Sequence, residues 1–130
     1  MVERAAKQVI VMRKDLGMRK GKMIAQGAHA SLKVLVDRAA PAGDVLAIPL
    51  DEPTRDWLVS GRFTKVCVSV DSEAALDDVV ARAGAAGVAC ALIVDSGRTE
   101  FHGVPTKTCC AVGPAWADDV DAITGSLPLL

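Results

Sequence analysis

Short apolar runs, separated by longer segments of mixed polarity, follow one another along the chain. Four runs that are rich in β-branched residues predict strands, because such side chains suit a pleated, half-buried surface. The third run, Cys-Ala-Leu-Ile-Val, is apolar throughout and therefore predicts a strand buried on both faces. The predicted strands cover residues 7–12, 65–70, 90–94 and 106–112.

Between these runs, the residue types that favour, begin and end helices predict four helices. The longest covers residues 20–39, which contain no proline and end before Pro41. A short helix has Thr54 as its N-cap and Gly61 as its end. The other two helices are predicted at residues 72–86, ended by Gly87, and at residues 115–123.

The order of these elements, β-α-(α)-β-α-β-β-α, predicts an α/β fold. A chain of 130 residues has the size of one domain, and we assign residues 1–130 to it. Helices that alternate with strands cover both faces of a sheet, so we expect a three-layer α-β-α sandwich around a four-stranded mixed sheet. The proline-rich segment 40–56 is expected on the surface, and Gly113-Pro114 is expected to end the last strand.

Composition narrows the functional classes. Hydrophobic residues make up 51% of the chain and charged residues 24%, which is enough for a packed core. No apolar run approaches the roughly 20 residues that a membrane-spanning helix needs, and the run near the N-terminus is too short for a signal peptide. We therefore expect a cytoplasmic protein that does not bind a membrane. Aromatic residues, at 3%, argue against a protein that stacks single-stranded bases.

The four cysteines give little sign of a metal site or a disulfide framework. The chain has no Cys-x-x-Cys pair, and Cys109 and Cys110 would point to opposite faces of one strand. We therefore expect all four cysteines, which include Cys67 and Cys90, to be buried reduced thiols that pack as small hydrophobic residues.

Charge is distributed unevenly along the chain, although its net value is only −1. Residues 1–38 hold nine Lys or Arg and three Asp or Glu, whereas residues 39–130 hold six and thirteen. This asymmetry indicates a local basic patch that meets a polyanion. The alternative is a solvated surface that is basic at one end by chance.

One stripe of the long predicted helix carries candidate chemistry. Lys22, Gln26, His29 and Lys33 stand at positions i, i+4, i+7 and i+11, which places them in one row. Nearly all other side chains of this helix are apolar or small, so we expect it to be buried except along this thin polar line. The alternative is a narrow solvated edge on which His29 bonds locally.

A second candidate site follows the third predicted strand. Asp95, Ser96, Arg98 and Thr99 bring a carboxylate, two hydroxyls and a guanidinium to the carboxyl end of a strand, where α/β sheets place ligand contacts. The alternative is an Asx turn in which Asp95 bonds its own backbone. Before the long helix, Gly17-x-x-x-Gly21-Lys22 lacks the P-loop spacing, although it could hold a phosphate more loosely, as in a small-nucleotide enzyme.

Taken together, these segments resemble the second type of peptidyl-tRNA hydrolase, the class typical of archaea and eukaryotes. The motifs Lys-Gly-Lys-x-x-x-Gln-x-x-His at residues 20–29 and Asp-x-Gly-Arg-Thr at residues 95–99 are specific in combination. The resemblance covers nearly the whole chain. It implies hydrolysis of the ester between a peptide and the tRNA 3′ end, without cofactor or metal, and it admits a homodimer. The other matching positions are 9–16, 18–30, Trp57, Gly61, Lys65, Val66, 91–100, 112–114 and 124–130.

The resemblance also implies the residues of the site. Ser96 stands where the family usually has Ala. The loop before Thr108 is one residue longer than in the family, so Thr106 is an alternative to Thr108 as the threonine of the site. We expect Asp95 to orient the attacking water and Lys22 to stabilise charge at the carbonyl or the departing ribose oxygen. The implied catalytic set is Lys22, Asp95, Gln26, His29, Thr99 and Thr108.

We expect tRNA to be held through its phosphates, without base readout. The cations assigned to this contact are Arg13, Lys14, Arg19, Lys20, Lys33 and Arg98. Two other functions stay open at this point. They are a non-catalytic tRNA-binding module on the same fold and, less favoured, the small-nucleotide enzyme.

Overall fold

A computed structural model describes residues 4–130 of the chain. Helices and strands follow the predicted order, with two short additional strands. The elements are β1 (Ala6–Arg13), α1 (Lys20–Val36), β2 (Ala40–Ala42), β3 (Val45–Ala47), α2 (Glu52–Leu58), β4 (Lys65–Val70), α3 (Glu73–Ala86), β5 (Cys90–Asp95), β6 (Thr106–Trp116) and α4 (Ala117–Thr124).

The main sheet has four strands in the order β4-β1-β6-β5. β1 runs parallel to β4 and antiparallel to β6, and β6 is antiparallel to β5, so the sheet is mixed. Alternate residues of the central strands face two different cores. One core packs Val9 and Val11 with α3 and α4, and the other packs Ile10 and Met12 with α1. The predicted α/β sandwich with a four-stranded mixed sheet is therefore confirmed.

Helix α3 and strand β4 match their predictions because local signals set their ends. The Ser72 side chain accepts a hydrogen bond from the backbone N–H of Ala75 at 3.0 Å and caps the first turn of α3. Gly87 ends this helix with φ of 68°, a conformation that glycine adopts without a steric penalty. α1 ends at Val36, three residues earlier than predicted.

The segment 40–56 was predicted only in outline. β2 and β3 form an antiparallel hairpin there, which the sequence did not predict. The N-cap of α2 is Asp51 and not Thr54, because the Asp51 carboxylate accepts the Thr54 N–H at 2.8 Å. Thr54 itself is buried inside the first turn.

The predicted break at Gly113-Pro114 was wrong, since β6 continues to Trp116. Its pairing with β1 shifts register beside these residues, and on the other side the Gly113 N–H donates to the carbonyl of Ala89, just before β5, at 2.7 Å. A Cβ at Gly113 would lie 2.4 Å from the Lys7 carbonyl oxygen, so only glycine fits this irregularity. The last helix consequently begins at Ala117 rather than at residue 115.

Two burial predictions were also wrong in part. β5 lies at a sheet edge, so its residues alternate in exposure, and Val94 is 55% exposed rather than buried. Cys109 and Cys110 are buried on opposite faces of the sheet, as predicted. Cys90 is half-buried, and Cys67 is exposed because β4 lies at the other edge.

Between residues 4 and 130, no helix has the length and apolar character needed to cross a membrane.

Candidate active site

The orientation of α1 on the sheet decides which of its side chains reach the candidate site. Gly27 and Ala30 face the sheet, and a Cβ at Gly27 would lie 3.6 Å from a methyl group of Ile10. These small residues allow close packing of the helix. The expectation of a helix buried nearly all round was wrong, because Ile24 is 73% and Leu32 60% exposed. α1 therefore leaves its outer side to solvent.

Four polar side chains from α1, β5 and the following loop form a connected network. The Lys22 Nζ donates to Asp95 Oδ1 at 2.9 Å and to Thr99 Oγ1 at 2.6 Å. Gln26 Nε2 donates to the same Asp95 oxygen at 3.3 Å. Lys22 and Asp95 are each only 13% exposed, so this ion pair lies at the boundary between the core and the solvent.

Thr108 extends the network into the core. Its hydroxyl donates to Gln26 Oε1 at 2.5 Å, and its side chain is fully buried on β6. Thr106 is turned away, since its hydroxyl donates to the Val104 carbonyl at 2.8 Å. Of the two threonines that the sequence left as alternatives, Thr108 is the one that contacts Gln26.

Asp95 has both of the features that the sequence left as alternatives. Its Oδ2 accepts the Gly97 N–H at 2.9 Å, which closes an Asx turn, while Oδ1 faces Lys22. The hydrogen bond from Lys22 lowers the pKa of Asp95 below its ordinary value, and the Gly97 N–H adds to this effect against the opposing effect of burial. The carboxylate is therefore held in its charged form.

The loop after β5 is folded back on itself and places Thr99 over the start of α1. Gly97 has φ of 83°, and a Cβ there would lie 2.3 Å from the Val104 carbonyl oxygen. The Phe101 ring centroid lies 5.7 Å from Lys22 Nζ, within the range of a cation–π contact. Sequence reasoning missed Phe101, because a single aromatic residue in a polar loop carries no pattern.

Unused donors and acceptors show what the network can offer a substrate. A lysine ammonium has three N–H groups, of which Lys22 uses two. A carboxylate has about four lone-pair positions, of which Asp95 uses three. One positively charged N–H of Lys22 and one lone pair on Asp95 Oδ2 therefore remain for a substrate. This is the pair that an ester and an attacking water require.

His29 is not part of the hydrogen-bonded network among residues 4–130. It is exposed on α1, one turn beyond Gln26. The polar stripe thus divides in two, with Lys22 and Gln26 facing the β5 loop and His29 and Lys33 facing solvent. The division follows from the rotation of α1, which the sequence did not predict.

The six predicted tRNA-binding cations have different surroundings. Arg13 is 11% exposed and binds Asp15 at 2.6 Å, and Lys33 binds Asp37 at 2.9 Å. Arg19 is 88% exposed, although its Nε lies 3.4 Å from Glu100. The remaining three side chains, Lys14, Lys20 and Arg98, are exposed.

Cys109 lies directly beneath the network. Its Sγ is 3.3 Å from the Gln26 carbonyl oxygen, and burial raises its pKa to about 11. A thiol with such a pKa is a poor nucleophile at neutral pH. Across the described residues, 4–130, no three His, Cys, Asp or Glu side chains are grouped closely enough to hold a metal ion.

Comparison with known proteins identifies the family. The profile of the family described as peptidyl-tRNA hydrolase PTH2 matches residues 6–130. A peptidyl-tRNA hydrolase of Methanocaldococcus jannaschii is 41% identical over 126 residues, which cover 95% of this chain and 99% of the relative. A peptidyl-tRNA hydrolase of Halobacterium salinarum is 43% identical over 123 residues, which cover 95% and 98%.

A solved structure supports the fold alone. A protein of unknown function from Agrobacterium tumefaciens superposes with a TM-score of 0.57 at 13% identity, covering 100% of this chain and 99% of that one. The sequence comparisons are specific, since they extend over almost the whole chain and include the segments that supply Lys22, Gln26 and Asp95. The chain therefore belongs to the PTH2 family of peptidyl-tRNA hydrolases.

Proposed function

We propose that the chain hydrolyses the ester bond of peptidyl-tRNA, the activity of its family, at the network of Lys22, Gln26, Asp95, Thr99 and Thr108. The observation that carries this assignment is the Lys22–Asp95 ion pair, whose partners come from elements 73 residues apart and keep one donor and one acceptor unused. The relatives named as hydrolases favour this function over a non-catalytic tRNA-binding module.

Asp95 is proposed to hold the attacking water. The water oxygen adds to the ester carbonyl carbon, and the bond from that carbon to the ribose oxygen then breaks. Water loses a proton and the ribose oxygen gains one. Because its pKa is lowered, Asp95 is a weak base, and we assign it the orientation of the water rather than lasting capture of the proton.

Lys22 is proposed to face the charge that develops on the substrate. Its remaining N–H can donate to the carbonyl oxygen or to the departing ribose oxygen. Such a donor acts in the transition state more than in the ground state, because the negative charge forms only then. Thr99 Oγ1 and Asp95 hold the ammonium in place before substrate arrives, which reduces the reorganisation that the reaction requires.

Gln26, Thr99 and Thr108 are proposed to position these two groups and the substrate. The chain of contacts from Thr108 to Gln26 to Asp95 transmits the rigid position of β6 to the site. We retain the predicted contribution of His29 as a contact to substrate at the outer edge of α1, where its ring is exposed.

Turnover of peptidyl-tRNA by the purified chain tests this function. We expect each protein molecule to release free tRNA and peptide from many molecules of peptidyl-tRNA. Tight binding of tRNA without any turnover would instead support the non-catalytic module. Turnover of a small nucleotide in place of peptidyl-tRNA would support the small-nucleotide enzyme.

The exposed cations are proposed to bind tRNA phosphates. Arg19 and Lys20 lie at the start of α1 and Arg98 in the loop after β5, on the segments that border the network, whereas Lys14 directly follows β1. Lys33 lies about 20 Å further along α1 at 1.5 Å per residue, where it could contact a more distant phosphate. Arg13 is more enclosed than the others, and its contact with Asp15 competes with such a role.

tRNA binding should weaken steeply with salt, because each neutralised phosphate releases counterions. Reversing Arg19 or Lys20 to glutamate should weaken tRNA binding and reduce the slope of log K against log salt by about one. Hydrolysis of a short ester that lacks the tRNA body should change far less. Binding isotherms at several salt concentrations provide the measurement.

Arg55, which is exposed on α2, offers a matched control because Arg55→Glu changes the net charge equally. An affinity that does not depend on salt, or equal losses for Arg55→Glu and Arg19→Glu, would exclude this patch as the tRNA contact.

Hydrolysis should continue after treatment with a strong chelator and, separately, with a thiol-alkylating reagent. Cys109 and Cys110 are fully buried, so we expect the reagent to modify the exposed Cys67 first. Mass spectrometry of the treated protein and its rate of ester cleavage give the two readings. Activity lost to the chelator and restored by one metal would contradict the metal-free site. Activity lost on modification of Cys109 in a folded protein would assign the nucleophile to a thiol.

Two further expectations accompany the proposed function. We place the activity in the cytoplasm, where peptidyl-tRNA is found. A homodimer would bury the exposed apolar side of α1, where Ile24 and Leu32 border a groove of about 760 Å³. Sedimentation equilibrium of the purified chain measures this association directly.

A further inference from the structure

Gln8 is a fully buried amide at the centre of the sheet, away from the active-site network. Its Oε1 accepts the Ser31 hydroxyl at 2.5 Å, and its Nε2 donates to the carbonyls of Gly113 at 3.0 Å and Ser31 at 3.3 Å. One side chain of β1 thus joins α1 and β6. A buried amide costs free energy unless all of its groups are bonded, and here donor and acceptor both have partners.

The other contacts between α1 and the sheet are mostly apolar and involve small residues. Gly27, Ala30 and Val34 pack against the strands through van der Waals contacts. Such contacts favour burial without specifying direction, so they leave the rotation of the helix and its position along its axis weakly determined. Hydrogen bonds, in contrast, are directional and short.

Hydrogen bonds hold α1 to the sheet at two places along the helix. The first is the active-site network, where Gln26 accepts from Thr108 and the helix also contacts Asp95 and Cys109, and the second is Gln8 to Ser31. Gln26 and Ser31 are five residues apart, or about 7.5 Å along the helix axis. Two anchors at different heights and on different strands fix both rotation and translation of a rigid helix. Lys22 extends from the same helix, one turn before Gln26.

We propose that Gln8 is a positioning residue for hydrolysis, which through Ser31 sets the rotation of α1 and so places Lys22 Nζ against Asp95. This inference rests on the proposed function of that ion pair. Gln8 touches neither substrate nor the reacting groups in this assignment, and it acts only through the helix. A small rotation of α1 would lengthen the 2.9 Å contact between Lys22 and Asp95.

Ser31→Ala is the most direct test, since alanine favours the helix and removes only the hydroxyl. We expect kcat to fall about tenfold, because small displacements of catalytic groups are costly. The KM for peptidyl-tRNA should be unchanged. Ser31→Thr, which keeps a hydroxyl, should restore most of the rate. Gln8→Met should lower kcat at least as much as Ser31→Ala, since it also removes the bonds to two backbone carbonyls. The double variant should be no slower than Gln8→Met, because both changes break the same bond between the Ser31 hydroxyl and Gln8.

The pH dependence of the rate separates positioning from a loss of stability. A longer Lys22–Asp95 contact should raise the pKa of Asp95. The acidic limb of the pH–rate profile should therefore lie at higher pH in Ser31→Ala than in the wild type. Thr124→Val is the matched control, since it removes a buried hydroxyl that donates to the Val120 carbonyl at 3.1 Å on the opposite face of the sheet. It should lower the melting temperature and leave kcat and the pH profile unchanged.

Wild-type kcat and pH profile in both Ser31→Ala and Gln8→Met would overturn the inference. Additive losses in the double variant, or equal losses of kcat in Thr124→Val, would also overturn it. If Lys22→Ala keeps normal activity, the proposed function fails instead, whatever the Ser31 variants show.

Discussion

Replacing Lys22 with alanine is expected to lower kcat by about 10²- to 10³-fold, the loss typical of removing one preorganised donor to a developing negative charge. The ammonium contacts Asp95 and Thr99 and has one N–H left for the substrate, so its loss removes the donor and frees the carboxylate at once. The rate should be measured under single-turnover conditions on peptidyl-tRNA, with tRNA affinity measured separately.

The fold should survive this change, because Lys22 lies at the solvent boundary and Asp95 keeps its bonds from Gly97 and Gln26. Lys7→Ala is a suitable control, since Lys7 pairs with Asp121 on the α4 face, remote from the site. Near-normal kcat in a stable Lys22→Ala protein would exclude the proposed role at the ester.

Asp95→Asn should preserve the shape of the side chain and lower kcat by about 10²-fold or more. The amide can still accept a hydrogen bond from Gly97, but it carries no charge to balance Lys22 or to orient water strongly. Turnover per folded molecule is the decisive quantity, so each rate should be divided by the folded fraction from a melting curve.

Asp56→Asn provides the comparison, because Asp56 also accepts a backbone N–H at 2.9 Å, from Ala6, outside the site. It should lose some stability and no turnover. If Asp95→Asn behaves in the same way, Asp95 only closes its turn.

The lowered pKa of Asp95 also predicts a pH dependence. A carboxylate whose pKa is lower in the folded state stabilises the fold above its unfolded pKa of about 3.9. That contribution is lost as the pH falls through the lower folded pKa. The acidic limb of the hydrolysis profile should therefore lie below the ordinary carboxyl range, and an acidic limb near neutral pH would contradict an ionised Asp95 as the controlling group.

Local sequence determined those elements whose ends depend on neighbouring residues. Ser72 and Gly87 cap α3 at the predicted positions, and the alternating residues of β4 form the predicted strand. These signals act within a few residues, through a side chain that bonds a nearby N–H or through a backbone conformation that glycine allows. The motif residues of α1 and of the β5 turn were likewise identified from sequence.

Tertiary structure decided which of those motif residues meet. Lys22 and Gln26 contact the β5 turn while His29 faces solvent, because hydrogen bonds from β1 and β6, which are distant in sequence, hold α1 with Gly27 and Ala30 against the sheet. Thr108 rather than Thr106 reaches Gln26 because only one of them faces α1 from β6.

Contacts between distant residues also explain which predictions about the fold were wrong. The continuation of β6 past Gly113-Pro114 and the exposure of Val94 depend on strand pairing, and the pairing partners are distant in sequence. A sequence pattern records the preference of each residue for a kind of environment. Which residues share that environment is set by the packing of the sheet and helices as a whole, and the catalytic geometry belongs to this second kind of information.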